Sequence, residues 1–344
     1  MPNAISLPEP VRLGVIGTGW IGSFHAESIA HRIPGAVLEA VADPRAGAAE
    51  TVAHPLGTEK VYLEALELIK DPDVEGVVIA SPAFTHTDLV VAAAEAGKAV
   101  FVEKPMALTL ADADRAIGAA AKAGVPLQVG FNRRFATDFA AAKAVVAEGR
   151  LGTPQLLRSV TRDPGLADPG SVKPWTIFLE TLIHDFDTLN WFNDGARPVE
   201  VYAAADALVA PGFKDSGLLD TSSVTIRYDN GAIATAEASF SAAYGYDIRG
   251  EVFGSRGMVT AGDVRSSSMR FYGAEGASSE TTRLNIDLFR EAYTDELAAF
   301  AASVRSGVVE QARGEDARAA LEIALVCIES YQQNRPVQLA GVSA

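Results

Sequence analysis

The chain has 344 residues, 48% hydrophobic and 21% charged, enough apolar material for two globular cores. Its formal net charge of −15 and pI near 4.8 set it against phosphate backbones and anionic headgroups, so nucleic acid and membrane are not expected partners. The single cysteine, Cys327, excludes an intrachain disulfide and suits a reducing cytoplasm, and no apolar run approaches the roughly 18 residues of a membrane span.

The N-terminal MPNAISLPEP lacks a basic region followed by an apolar one, so no signal peptide is expected. Over the first 130 residues, β-like runs alternate with helical ones. The strand candidates are VRLGVIG (11–17), AVLEAVAD (36–43), VEGVVIAS (74–81), KAVFVEK (98–104) and VPLQVG (125–130). This order predicts a doubly wound parallel sheet, α/β in class, with both faces covered. The first strand runs into Gly17-Thr18-Gly19-Trp20-Ile21-Gly22, which opens an amphipathic stretch to His31. A GxGxxG between strand and helix suits a dinucleotide pyrophosphate on the helix N-terminus. Asp43 ends the next strand, 21 residues past Gly22, where an acid binds a ribose diol. Its carboxylate repels a 2′-phosphate and favours NAD, whereas Arg45 keeps NADP open.

ASPAFTHTDLV (80–90) and VFVEKPMALT (101–110) leave their strands at the carboxyl edge of the sheet, where α/β proteins bind ligands. Ser81 and His86 either touch the cofactor there or anchor the turn. Glu103 and Lys104 are expected at the cofactor, and Pro105 sets the turn after them. His25, His31 and His54 lie on helical segments with no acid at useful spacing and read as structural or solvated. In GFNRRF (130–135), adjacent arginines usually mean one ion pair and one solvated charge; at a cleft they would contact the cofactor or close a domain interface.

Residues 131–344 change texture and predict an α+β domain after the dinucleotide domain of 1–130. A helix near 138–148 and a strand at 155–163 precede a Pro/Gly-rich loop. In FLETLIHDFDTLNWF, Phe178, Leu182, Phe186 and Leu189 mark the buried face of a helix, with Glu180, His184, Asp187 and Trp191 opposite. One histidine in that set makes a poor transition-metal site, so no metal is expected. Strand-like runs from Pro198 to Tyr272, with Asn230-Gly231 as a hairpin turn, predict an open, largely antiparallel sheet. Two helices, near 286–306 and 314–333, close the chain. An uncovered sheet face predicts a homo-oligomer, dimer or tetramer.

Together, Gly17-Thr-Gly19-Trp-Ile-Gly22, EKP at 103–105, GFNRRF, ETLIHDFD at 180–187 and YGYDIRGEVFGSRGM at 244–258 resemble the glucose–fructose oxidoreductase / inositol dehydrogenase family (Gfo/Idh/MocA). The likeness spans nearly the whole chain, and within the family it is greatest to inositol 2-dehydrogenases. It implies an N-terminal Rossmann domain and NAD(P)-linked oxidation of a ring hydroxyl of a cyclic polyol or sugar. The family's catalytic lysine falls on Lys104 and its catalytic histidine on His184. The acid one turn earlier, usually Asp, is Glu180 here, and the tyrosine of GYD falls on Tyr246. Trp175-Thr176 stand where many inositol enzymes carry two glycines, which places an indole at the substrate. On this reading His184 is the general base, Glu180 orients it, and Lys104 stabilises the developing alkoxide. The alternatives are a pyranose, sugar acid or deoxy sugar as substrate, or a regulator that senses NAD without turnover.

Overall fold

The computed structural model describes residues 9–166 and 168–339, so most of the stretch read for a leader lies outside the described residues. The chain forms two compact units, Met1–Asn132 with Glu291–Arg318, and Arg133–Arg290 with Ala319–Ala344.

The first unit alternates β1 (Val11–Ile16), α1 (Trp20–His31), β2 (Ala36–Ala42), α2 (Ala48–Ala53), β3 (Lys60–Tyr62), α3 (Ala65–Lys70), β4 (Gly76–Ile79), α4 (His86–Glu95), β5 (Ala99–Val102), α5 (Leu110–Ala123) and β6 (Leu127–Val129). Its sheet has the order β3-β2-β1-β4-β5-β6, with every pairing parallel. The order reverses between β1 and β4, the switch point beside which such sheets bind ligands. GVVI of β4 and AVFV of β5 are buried at every residue, as central parallel strands require. β3 went unread in the sequence because three residues of mixed polarity carry no period.

The second unit contains α6 (Thr137–Ala147), β7 (Pro154–Arg162), α7 (Ile183–Phe192), β8 (Pro198–Asp206), β9 (Thr221–Tyr228), β10 (Ile233–Ser239), β11 (Asp247–Gly254), β12 (Gly257–Ala261), a small hairpin of β13 (Phe271–Gly273) and β14 (Gly276–Ser278), and α8 (Asn285–Leu288). Three further elements follow, α9 (Arg290–Ser306), α10 (Gly314–Gln333) and β15 (Val337–Gln338). The large sheet has the order β12-β11-β7-β10-β9-β8-β15. β7 and β10 pair in parallel and the other neighbours antiparallel, so the expected open, largely antiparallel sheet is present. Gly231 (φ +87°) makes the β9–β10 turn. β9 shows the lopsided burial of such a sheet: Ser222, Val224, Ile226 and Tyr228 are buried, while Ser223, Thr225 and Arg227 face out.

The stretch 131–344, read from the sequence as one α+β domain, divides between the two units. α9 returns to the first unit, where Leu297, Phe300 and Ala301 join the core of Val11, Leu13, Val15, Ile29 and Phe101. Burying the Leu and Phe side chains contributes about 1.5–3 kcal/mol each, which decides where the helix packs.

The expectation for GFNRRF is also corrected, because neither arginine is solvated. Arg133 and Arg134 are buried in the second unit and each meets a carboxylate of α7. Arg133 Nη1 donates to Asp185 Oδ1 at 2.9 Å, and Ser159 and Thr161 of β7 donate to the same carboxylate. Arg134 grips Asp187 through Nε at 2.9 Å and Nη2 at 2.6 Å, with its guanidinium over the Trp191 ring. Removing one partner of such a pair strands a buried charge. Asp185→Ala is expected to cost about 3–5 kcal/mol of unfolding free energy in denaturant titration, and a loss below about 1 kcal/mol would place the pair among weak surface bridges.

Candidate active site

The turn after β1 is shaped by what its glycines leave out. Gly17 sits at φ +94°, and a Cβ there would lie 2.7 Å from the Ala80 carbonyl oxygen. A Cβ on Gly22 would come within 2.0 Å of the Gly17 oxygen, so only glycine lets α1 rest on the turn. Above Gly19 the space is open among the described residues: a Cβ would meet nothing within 4 Å. Gly19 is the N-cap of α1 and no side chain caps the helix, so its first N–H groups are available to a pyrophosphate. Trp20 is exposed beside this opening and Ile21 is half-buried. The turn therefore fits the dinucleotide expected there.

Asp43 stands just beyond β2, almost wholly buried. Thr18 donates to Oδ2 through its backbone N (2.8 Å) and hydroxyl (2.7 Å). Arg45 donates to Oδ1 through its backbone N and Nε, both at 2.9 Å, and to Oδ2 through Nη2 at 3.0 Å. These bonds, Arg45's side chain foremost, hold the Asp43 carboxyl well below the usual carboxylate range. Arg45 itself is largely exposed and is spent on Asp43. A 2′-phosphate must therefore approach a fixed carboxylate and draw Arg45 off it.

At the next turns, the Ser81 hydroxyl pairs with the Thr85 hydroxyl at 2.7 Å. His86 is buried, with Nδ1 2.9 Å from the Pro105 carbonyl oxygen and Nε2 2.8 Å from that of Ser81. A neutral imidazole donates to only one of these carbonyls at a time, and burial, outweighing both contacts, pushes its pKa down. Both contacts suit the anchoring role, one of the two open to His86. Glu103 also turns inward: Oε1 lies 2.7 Å from His25 Nε2, and Oε2 accepts from the Lys104 backbone N at 3.2 Å. It is thus a buried structural neighbour of Lys104. His25 has the acid partner that local spacing did not reveal, 78 residues away. Lys104 is half-buried at the strand end, and its bond to Pro105 is cis.

In the second unit Trp175 adopts φ +63°, uncommon for an aromatic residue. Its N–H donates to the Gly217 carbonyl at 3.0 Å, and its ring meets Tyr331 edge-on at 5.9 Å. The segment 178–192 is not one α-helix, which corrects the sequence reading. Ile177–Thr181 is π-helical, closed by Leu182 N–H to the Ile177 carbonyl at 2.9 Å, and α7 starts at Ile183. Such single π turns concentrate at functional sites. Glu180 lies in the π turn and His184 in the first turn of α7, so the two straddle the change of pitch. The apolar face holds: Phe178, Leu182, Phe186 and Leu189 are fully buried. The polar face divides, with Glu180 and His184 half-buried and Asp187 committed to Arg134. Tyr246 is half-buried, and burial, with Asp163's charge, pushes its hydroxyl up to about 12. It therefore stays a neutral donor and acceptor.

Residues 11–131 match an oxidoreductase family with an NAD-binding Rossmann fold, and residues 139–260 match the GFO/IDH/MocA C-terminal domain. The chain is 38% identical over 334 residues to the myo-inositol 2-dehydrogenase of Thermotoga maritima, covering 96% of this chain and 99% of that protein. It is 36% identical to the scyllo-inositol 2-dehydrogenase (NAD(+)) of Bacillus subtilis, with 97% of each covered. The crystal structure of scyllo-inositol dehydrogenase from Lactobacillus casei with NAD(H) and scyllo-inositol superposes with a TM-score of 0.92, at 28% identity, covering 97% of this chain and 100% of that one.

The Asp43 geometry makes cofactor preference measurable. NAD is expected to exceed NADP in kcat/KM by about tenfold or more, equivalent to roughly 1.4 kcal/mol. Asp43→Ala should erode that ratio by freeing Arg45 for the phosphate. Equal efficiency with both cofactors in the parent would mean that Arg45, and not Asp43, governs the choice.

Proposed function

The chain belongs to the GFO/IDH/MocA oxidoreductase family, and from that premise we propose that it is an NAD-dependent dehydrogenase oxidising a ring hydroxyl of an inositol-like cyclic polyol. The observation that carries this reading is end-to-end similarity to inositol dehydrogenases, together with a glycine turn and ribose acid that suit NAD. NAD, when bound, accepts the hydride from the carbinol carbon. His184 takes the hydroxyl proton as general base. Lys104, held at its strand end by the Glu103 and His86 contacts, donates a hydrogen bond to the developing alkoxide. Glu180 supports the His184 imidazolium. Tyr246, a neutral phenol, hydrogen-bonds a ring hydroxyl, and Trp175 limits the shape of the substrate. His86 and Glu103 act behind these groups rather than on the substrate.

The same reading includes a cytoplasmic enzyme that self-associates as a dimer or tetramer. No helix among the described residues is long and apolar enough to cross a membrane. Strand register aligns exposed Ile233, Leu156, Phe253 and Met258 across β10, β7, β11 and β12 on the open face of the sheet. An apolar row of this kind is what a second copy would cover. Replacing Phe253 and Leu156 by Glu is expected to shift the molar mass in sedimentation or light scattering toward the monomer, and an unchanged mass would rule this face out.

Turnover is tested by NADH formation across a panel of inositols, aldoses and sugar acids. Cyclic polyols are expected to give the highest kcat/KM. Lys104→Ala should lower kcat by about 100-fold or more with NAD affinity preserved. Glu180→Gln should lower kcat and move the acid limb of the kcat/KM profile to lower pH, because the lost charge no longer favours imidazolium. A raised KM with an unmoved limb would instead make Glu180 a substrate ligand. Parental values throughout would remove it from the mechanism.

A further inference from the structure

The first unit buries an unusual group of titratable side chains behind the Lys104 turn. His25 of α1, Glu103 at the end of β5 and Glu296 of α9 are all buried, and their ligating atoms lie within 4.8 Å of one another. Neither Glu296 carboxyl oxygen nor His25 Nδ1 has a hydrogen-bond partner among the described residues. Rings surround the imidazole: Phe101 at 5.6 Å, Tyr293 at 6.1 Å and Phe24 at 6.3 Å. An N–H at Nδ1 would have no acceptor there, so His25 carries its proton on Nε2 and donates it to Glu103. Gly130 belongs to the same construction, since a Cβ there would stand 2.8 Å from Glu103 Oε2.

We propose that the Glu103–Glu296 pair holds one buried proton between its two acids, and that the His25–Glu103–Glu296 cluster is the positioning element for Lys104. Two ionised carboxylates this close and this deep repel each other. Glu296 is the member that keeps the proton, because burial first, and Glu103's charge second, raise its pKa well above the usual carboxylate range. Glu103 is left to accept from His25 Nε2 and from the Lys104 N–H, fixing the backbone from which the lysine side chain extends. The charged and titratable groups around the pair are His25 from α1, Lys104 and His86 beyond Glu103, and Tyr293 on α9 itself. Glu296 is tied to the sheet at its backbone, where its carbonyl accepts from Gln128 Nε2 at 2.7 Å.

The positioning role rests on the assignment of Lys104 to the alkoxide; the shared proton does not. The full-length protein and its Glu296→Gln and Glu103→Gln variants test both parts. Infrared difference spectra near neutral pH should show a protonated-carboxyl band in the parent that Glu296→Gln lacks. A group whose folded pKa is raised weakens folding as pH climbs from its unfolded to its folded value. The melting temperature of Glu296→Gln should therefore gain on the parent as pH rises and converge with it in acid. Glu103→Gln should lower kcat on the order of 10- to 100-fold with the NAD dissociation constant nearly unchanged. If that variant does not fold, Gly130→Ala, which crowds the Glu103 carboxylate, should produce the same split. Absence of the band, a melting difference independent of pH, or a stoichiometric divalent metal in elemental analysis overturns the shared proton. Parental kcat in Glu103→Gln overturns positioning. Parental kcat in Lys104→Ala overturns only the role assigned to that lysine, since the band and the melting behaviour do not depend on it.

Discussion

The helix that carries His184 is held by two buried guanidinium–carboxylate pairs, and the second unit is arranged around them. Asp185 and Asp187 leave α7 toward Arg133 and Arg134, while His184, one residue before the first of them, stays half-buried. A charged pair in the interior is weak evidence of stability, because desolvation offsets much of its attraction. It is strong evidence of a fixed geometry, because neither charge can leave without stranding the other. The bidentate grip of Arg134 adds direction to that constraint.

The first unit solves the same problem with other chemistry. Lys104 also sits one residue from a buried carboxylate, Glu103, which is engaged by an imidazole and by the lysine's own backbone. His86 then lies between the Ser81 and Pro105 turns, each ring nitrogen facing one of their carbonyl oxygens. In both units a side chain assigned to chemistry is adjacent in sequence to one that is buried and satisfied. The neighbour supplies rigidity at each place, which accurate positioning of a reacting atom demands.

Two local features stand out at the start of the helix that carries His184. Trp175 holds a left-handed backbone with an indole against Tyr331, and the π turn that follows offsets Glu180 from a regular helical register with His184. Side-chain length and helical pitch together set where the Glu180 carboxylate sits.

The sequence by itself determined the features that repeat locally or form a continuous motif. The alternating strands and helices of the first 130 residues, the glycine turn with its ribose acid, the hairpin at Asn230-Gly231 and the family likeness were all legible in this way. So were Lys104 and His184 as candidates, because each lies in a short recognisable string. Only the tertiary structure decided the rest. The partner of His25 lies 78 residues away, that of Arg133 52 residues away, and α9, far along the chain from β1 and β5, joins their core. The π turn replaces one hydrogen-bond pattern by another without altering the apolar spacing that sequence periodicity records. Periodicity reports which face of a segment is buried. It carries no information about which distant group meets that face, and the burial of a charge depends on that meeting.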